Sequence, residues 1–209
     1  GFMGFCIGMF GQPTWQSAVE ASQVVARIIP YPPNNPFYVY QTAAWTILHQ
    51  IYALFLLLGV SERTLCVVTS GLLGMISFQA LALCVFALSQ DKVLAITAPV
   101  FIYFTRAVEF TVVYPVWLLG HVHTYGILGL AFMLLTIALM GVGQYKWGGL
   151  LLGLAPAIHP SLGAFLWLIV LIGLIWDFQN LWGMFRKSAT YIFAGCGLTL
   201  LSLGVQFLV

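Results

Sequence analysis

The sequence predicts an all-α fold, a polytopic transmembrane helix bundle of about six to seven spans, some of them broken. Of 209 residues, 62% are hydrophobic and 6% are charged, and the mean hydropathy is +1.03. A soluble domain carries roughly 25% charged residues, so this composition is typical of a chain embedded in a bilayer. We expect residues 1–209 to form one transmembrane domain with one external amphipathic helix and a proline-rich loop.

Charge and cysteine content exclude several classes of protein. The net charge of +2 is small and scattered, which argues against a nucleic-acid partner. The four cysteines lie in apolar runs without CxxC spacing and are expected to be small buried side chains. Because the chain begins and ends inside apolar runs, we expect it to be a fragment of a longer polytopic protein.

The apolar runs place the spans in order along the chain. The predicted spans are the end of a first span at 1–10, then 43–60, 64–88, 93–119, 126–143, 148–176 and a last one from about 189. The run 93–119 either continues or breaks near its charged residues. The run 148–176 is long for one span and is interrupted by APAIHPSLG, whose two prolines predict a broken helix.

Residues 11–42 are the polar exception and are predicted to be an external loop with a juxtamembrane helix. Within them, 14–29 has an amphipathic pattern, with Val19 and Ser22 on one face and Glu20 and Gln23 on an adjoining one. Residues 30–41 contain four prolines, which predict an extended loop. Ser61 is predicted to cap the helix that follows it.

The orientation follows from the basic residues. If each span crosses once, Arg63 and the pair Arg186–Lys187 share a side, and the positive-inside rule makes that side cytoplasmic. The loop at 11–42 then faces outward, with Lys92 and Lys146 on its side. We expect the protein to lie in the cell's inner, or plasma, membrane.

Glu20 is the leading catalytic candidate. A lone carboxylate on an ordered external loop beside the membrane is placed to act as a general base. The alternative is a solvated residue of an amphipathic helix, paired with Arg27.

Arg106 and Glu109 form a second candidate site. They are three residues apart and therefore share a helix face. Ionisable side chains at membrane depth suggest a functional pathway or site, and an arginine there can bind a phosphate. The alternative is a structural ion pair.

Three histidines are candidates for lining a cavity or binding a ligand. His121 and His123 are two apart, so on a helix they point in different directions and do not converge on one metal. In an extended turn they could converge, but no Asp, Glu or Cys lies nearby in sequence to complete a site, so we predict no metal site there. His159, before Pro160, marks irregular backbone, which at membrane depth is tolerated where it is buried in protein or lines a cavity.

The stretch WQSAVEASQVVARIIPYPPNNPFYVYQ resembles the first external loop of membrane glycosyltransferases of the GT-C superfamily, and LAPAIHPSLGA resembles the His-Pro break of bacterial membrane proteins of that general type. The resemblance implies an inverting transfer of a sugar from a polyprenyl-phosphate donor to an acceptor on the non-cytoplasmic face. It implies Glu20 as the base, with an arginine or a divalent metal stabilising the leaving phosphate. We select Arg106 as the phosphate partner by its charge and depth, and we place Glu109 and Arg27 with it in the substrate- and phosphate-binding site. Many members of that family have an aspartate, often in a pair, where this chain has a single glutamate.

Two alternatives to a transferase remain open. A non-catalytic subunit of a larger membrane complex, for instance one with pigments or redox cofactors, would pack against lipids and other membrane subunits. A transporter would gather Arg106, Glu109 and His159 around a cavity.

Overall fold

The computed structural model describes residues 1–11, 17–30, 32, 34–43, 46–105 and 125–208. Every regular element in this part of the chain is helical, so the predicted all-α fold is confirmed. A π-helical turn, Ile7–Gly11, extends the first α-helix. The α-helices are α1 Phe2–Cys6, α2 Ser17–Val25, α3 Pro36–Ala43, α4 Ile47–Leu57, α5 Glu62–Ser89, α6 Lys92–Thr105, α7 Tyr125–Gly141, α8 Tyr145–Ile158, α9 Pro160–Trp176 and α10 Phe178–Leu208.

The prediction of about six to seven full-length spans is wrong for the described residues. Two helices there are long and apolar enough to cross a membrane, Glu62–Ser89 and Phe178–Gln206. The shorter apolar helices are Ile47–Leu57, Lys92–Phe104, Gly126–Gly141 and Pro160–Trp176. Each falls below the roughly 20 residues that a crossing helix needs.

Backbone turns cut the apolar runs into these shorter helices. Gly59 and Gly143 have φ of 86° and 78° and end α4 and α7, respectively. Each follows the Schellman pattern, in which the residue after the glycine bonds back to the carbonyl five residues earlier. Hydropathy is continuous through these turns, which explains why the sequence indicated longer helices.

The predicted break in 148–176 is confirmed. His159 is extended, with φ −151° and ψ 105°, and it separates α8 from α9. Pro160 occupies the first position of α9. A backbone N–H at that position makes no hydrogen bond within the helix, so proline costs nothing there. The polar stretch before residue 189 is itself helical, because α10 begins at Phe178.

The segment predicted to be an external loop is more helical than expected. Helix α2 lies within the predicted 14–29, and Val19 and Ser22 on its apolar face are fully buried. The extended loop predicted for 30–41 ends early, because α3 begins at Pro36. Ser61 caps α5 as predicted: its hydroxyl accepts from the Thr64 amide at 3.2 Å.

Close contacts fix the directions in which the helices run. Gly4 of α1 meets the Gly74 backbone, and Gly8 meets Ser70, so α1 and its π-helical turn run antiparallel to α5. Leu73 packs in one cluster with Ile127, and a Cβ on Gly141 would lie 3.4 Å from Ala87, so α5 and α7 run parallel.

Helices α8, α9 and α10 form a second group. Gly149 meets Ser188 and Gly153 meets Ile192, so α8 and α10 run parallel. Gly163 of α9 meets Ala155 of α8, which shows that α9 runs antiparallel to α8 after the break at His159. The bundle therefore has two ends, which we call the α2 end, where α5 begins, and the basic end, where α5, α7 and α9 finish.

The predicted distribution of basic residues is wrong. Arg63 lies at the α2 end, near the start of α5, whereas Arg186 and Lys187 lie at the basic end. The Lys187 ammonium is 5.4 Å from the centre of the Tyr145 ring at the start of α8. The prediction counted 148–176 as one crossing, and the reversal at His159 exchanges the sides. The basic end carries Lys92, Lys146, Arg186 and Lys187.

Polar side chains link helices that are distant in sequence. The Gln50 amide donates to the Ser202 carbonyl at 2.8 Å, and the Ser202 hydroxyl donates to the Gln50 amide oxygen at 3.0 Å. Thr199 donates to the Gly153 carbonyl at 2.8 Å. Close glycine contacts and hydrogen bonds between helices are both typical of helix packing in membranes, where the hydrophobic effect does not drive association.

Candidate functional site

Helix α2 is fixed against the hairpin formed by α4 and α5. Val19 is 0% exposed and packs in a cluster with four residues of these helices. They are Tyr52, Leu56, Leu65 and Cys66. Because Val19 is held in this way, the residue after it, Glu20, has a fixed position at the α2 end.

Glu20 is partly buried and lies in the first turn of α2. An acidic side chain in the first turn of a helix interacts favourably with the helix dipole. Glu20, the leading catalytic candidate, therefore lies on a helix that is packed against α4 and α5.

A second carboxylate lies on the same side of the molecule. The Gln23 amide donates a hydrogen bond to the Glu62 carboxylate, with 3.1 Å between Nε2 and Oε1. Gln23 is one turn after Glu20, so the two share a face of α2. The sequence around Glu62 gives no signal of a site, because a glutamate after the Ser61 cap indicates only a favourable charge in a helix's first turn.

Arg27 lies at the end of α2 in a left-handed conformation, with φ 56°. Its amide bonds to the Val24 carbonyl, and the Ile28 amide bonds to the Gln23 carbonyl, which is the Schellman pattern. The same position is glycine at the ends of α4 and α7. A non-glycine residue there carries a backbone cost, and strained residues of this kind concentrate at functional sites.

Buried polar residues lie in α2 and in the helices that it covers. His49 is 3% exposed, and its Nδ1 accepts from the Thr46 amide at 3.1 Å, which leaves Nε2 to carry the proton of the neutral ring. Thr69 donates to the Tyr52 hydroxyl at 2.8 Å. Single polar residues inside apolar runs give no pattern, so nothing in the sequence selects these residues.

Four candidates from the sequence fall in the stretch 106–124, outside the described residues. They are Arg106, Glu109, His121 and His123. Their predicted roles stay predictions. The same holds for the cavity that a transporter would need around Arg106 and Glu109.

His159 contributes to the fold at the break between α8 and α9. Its ring Nδ1 accepts from the Leu162 amide at 3.3 Å, and its Cβ lies close to Gly129 of α7. The cavity beside it measures about 10 Å³. His159 therefore contacts α7, whereas the helix that carries Glu20 packs on α4 and α5. The two residues lie at different helix–helix interfaces.

The donor groups do not suggest a metal site. Within the described residues, no group of three His, Cys, Asp or Glu side chains is placed to hold an ion. Among the described residues, the α2 end offers the Glu20 and Glu62 carboxylates, the Arg27 and Arg63 guanidinium groups and neutral hydrogen-bonding groups. Comparison with protein-family models, curated proteins and solved structures found no match to this chain.

Proposed function

We propose that the chain is a multi-pass membrane protein that acts as a GT-C-like glycosyltransferase, moving a sugar from a polyprenyl phosphate to an acceptor hydroxyl on the non-cytoplasmic face. The observation that carries this proposal is the partly buried Glu20 carboxylate on a helix that is seated on the α4–α5 hairpin. A base needs such a fixed position, because its oxygen has to stay within hydrogen-bond reach of the proton that it removes.

Several features support a place in the plasma (inner) membrane. Two helices have the length and composition to cross a bilayer. Large apolar side chains are exposed on the outer sides of α6, α9 and α10, among them Ile96, Phe101, Ile172 and Phe193. In water such a surface would favour aggregation, whereas lipid chains would cover it.

The charges give the orientation. Among the described residues, the basic end carries four Lys and Arg side chains and the α2 end carries Arg27 and Arg63. The positive-inside rule then assigns the basic end to the cytoplasm and Glu20 to the outside. This is the side expected from the sequence, although the basic residues that determine it are different ones.

The reaction would proceed in one displacement. Glu20 takes the proton of the acceptor hydroxyl while that oxygen attacks the anomeric carbon of the sugar. The bond between this carbon and the phosphate oxygen breaks, polyprenyl phosphate leaves with both electrons of the bond, and the configuration inverts. A guanidinium suits the leaving phosphate because it bonds two oxygens at once. Arg27 is the candidate among the described residues.

Gln23 and Glu62 have a supporting role in this mechanism. Their hydrogen bond joins α2 to the start of α5 and restricts rotation of α2. Any rotation of α2 would move Glu20, since the Glu20 and Gln23 side chains project from the same face of that helix.

The test is release of polyprenyl phosphate from a panel of polyprenyl-phosphate hexoses by the purified protein in liposomes. The variant Glu20→Gln should lower the rate by about 10²–10⁴-fold, the range of general-base catalysis. Asp91→Asn is the matched control, because Asp91 caps α6 at the basic end and asparagine caps equally well. A Glu20→Gln protein with full activity would rule out the catalytic assignment.

A non-catalytic subunit of a larger membrane complex is the second candidate. It is favoured by the aromatic and aliphatic side chains exposed on α9 and α10, which another subunit would bury as well as lipid would. If it is correct, the protein releases no polyprenyl phosphate and purifies in mild detergent with a partner in fixed ratio. A transporter is a lesser candidate. The charged residues that it would need, Arg106 and Glu109, lie in 106–124, outside the described residues, so no observed contact supports it.

A further inference from the structure

A cavity of about 330 Å³ lies between α7, α8, α9 and α10, away from the α2 end. Its deep side is formed by Leu152 and Leu166, each 1% exposed. Its other side reaches Gly141 and Leu181, which adjoin the turns at the basic end. The cavity therefore leads from the surface of that end into the middle of the bundle.

The cavity wall offers almost no polar group. Thr136 is the one polar side chain that lines it among the described residues, and its hydroxyl donates to the Phe132 carbonyl at 2.7 Å. A cavity of this kind does not retain water, since each water needs two or more polar partners. Its volume is within the range of about 300–1,000 Å³ seen for ligand pockets. The ligand that suits such a wall is a hydrocarbon chain.

The surroundings of the cavity opening are cationic. Met184, a wall residue, lies three residues before Lys187, so the two share a side of α10. The Lys187 ammonium is held over the Tyr145 ring. Among the described residues, two carboxylates lie at this end and each accepts from a helix's first turn: Asp91 from the Val93 and Leu94 amides, and Asp177 from the Asn180 amide. Four basic side chains against these two carboxylates leave an excess of positive charge at this end.

Aromatic side chains mark the level of a membrane interface at the same end. Phe178, Trp182 and Phe185 stack along α10, with centroids 5.5 and 5.9 Å apart, and Phe185 also lines the cavity. Trp176 is 90% exposed beside them. Tryptophan gathers at the depth of lipid headgroups, so a chain entering the cavity here would have its headgroup beside the basic residues.

We infer that this cavity holds one acyl chain of an anionic glycerophospholipid, with its phosphate beside Lys187. The inference rests on the proposed place in a membrane and not on sugar transfer. The site lies at the opposite end from Glu20, so occupation of the cavity and transferase activity can be tested separately.

The experiment uses nanodiscs with equal amounts of phosphatidylglycerol and phosphatidylcholine, and native mass spectrometry of the lipid that the released protein retains. The wild-type chain should keep one phosphatidylglycerol. Val170→Phe, which fills the cavity from α9, should lose it. Leu168→Phe is the matched control, since Leu168 is half exposed on the same helix and does not line the cavity.

The headgroup contact is tested by Lys187→Gln. Loss of one cation near the lipid phosphate should lower the preference for phosphatidylglycerol by about fivefold. Arg63→Gln at the α2 end, away from the cavity, should have little effect. Ile169→Phe is a second filling variant in case Val170→Phe does not fold.

Three results would overturn the inference. They are full lipid retention by a folded filling variant, equal retention of both lipids by the wild type, and a lipid-free dimer in which a second copy covers the cavity.

Discussion

Gln23 of α2 donates a hydrogen bond to Glu62 of α5 across 39 positions of the sequence, with 3.1 Å between Nε2 and Oε1. The bond is partly buried, and Gln23 itself is 7% exposed. It holds the polar helix of the chain to one of its two longest apolar helices.

We expect Gln23→Ala to lower the free energy of unfolding by about 1–2 kcal/mol, because it leaves the Glu62 carboxylate without this donor. Glu62→Gln is the matched control, since an amide oxygen can still accept the bond. Thermal unfolding in detergent measures both. If Gln23→Ala unfolds at the wild-type temperature, the bond does not hold α2 in place.

Glycine contacts between α8 and α10 give a second prediction. A Cβ on Gly153 would meet the Ile192 carbonyl and the Cys196 amide, which are backbone atoms and cannot move aside. Gly153→Ala should therefore separate the helices and cost more than about 2 kcal/mol, as overpacking does. A Cβ on Gly197 meets no atom within 4 Å, so Gly197→Ala should instead stabilise α10 by about 0.5–1 kcal/mol. Equal effects of the two variants would contradict this packing.

These contacts also show what the sequence could predict. Composition was enough for the all-α fold, and a serine before a polar turn of helix was enough for the Ser61 cap. Helix length was not predictable from hydropathy, since the chain remains apolar through the turns at Gly59 and Gly143. Their backbone conformation depends on the hydrogen bonds of the folded helix ends.

The candidate site was predictable only in its leading residue. Glu20 was selected because a carboxylate stands out in a polar loop. Glu62 and His49 depend on how α2 packs over α4 and α5, and a single polar residue in an apolar run carries no such information. The grouping of Lys92, Lys146, Arg186 and Lys187 followed from the reversal at His159, which the sequence marked as a break but not as a change of direction.

His159 provides the third prediction. Its ring caps α9 through the Leu162 amide, so His159→Ala should cost about 1 kcal/mol. His159→Asn should keep most of the stability, because asparagine caps a helix well. Thermal unfolding separates capping from any ligand role: an asparagine variant that is stable but inactive would show that the ring does more than cap.

The last prediction concerns Arg27, whose φ of 56° is the conformation that Gly59 and Gly143 adopt at the equivalent point of their helices. Arg27→Gly should relieve this backbone cost and raise the free energy of unfolding by about 1 kcal/mol. Gly59→Ala is the reciprocal control: its Cβ would meet no atom within 4 Å, so the loss of about 1 kcal/mol that we expect comes from the backbone alone. If Arg27 binds the leaving phosphate, Arg27→Gly also loses polyprenyl-phosphate release while Gly59→Ala retains it. A destabilised Arg27→Gly protein would show instead that interactions of the arginine side chain outweigh the strain, and that Arg27 is retained for the fold.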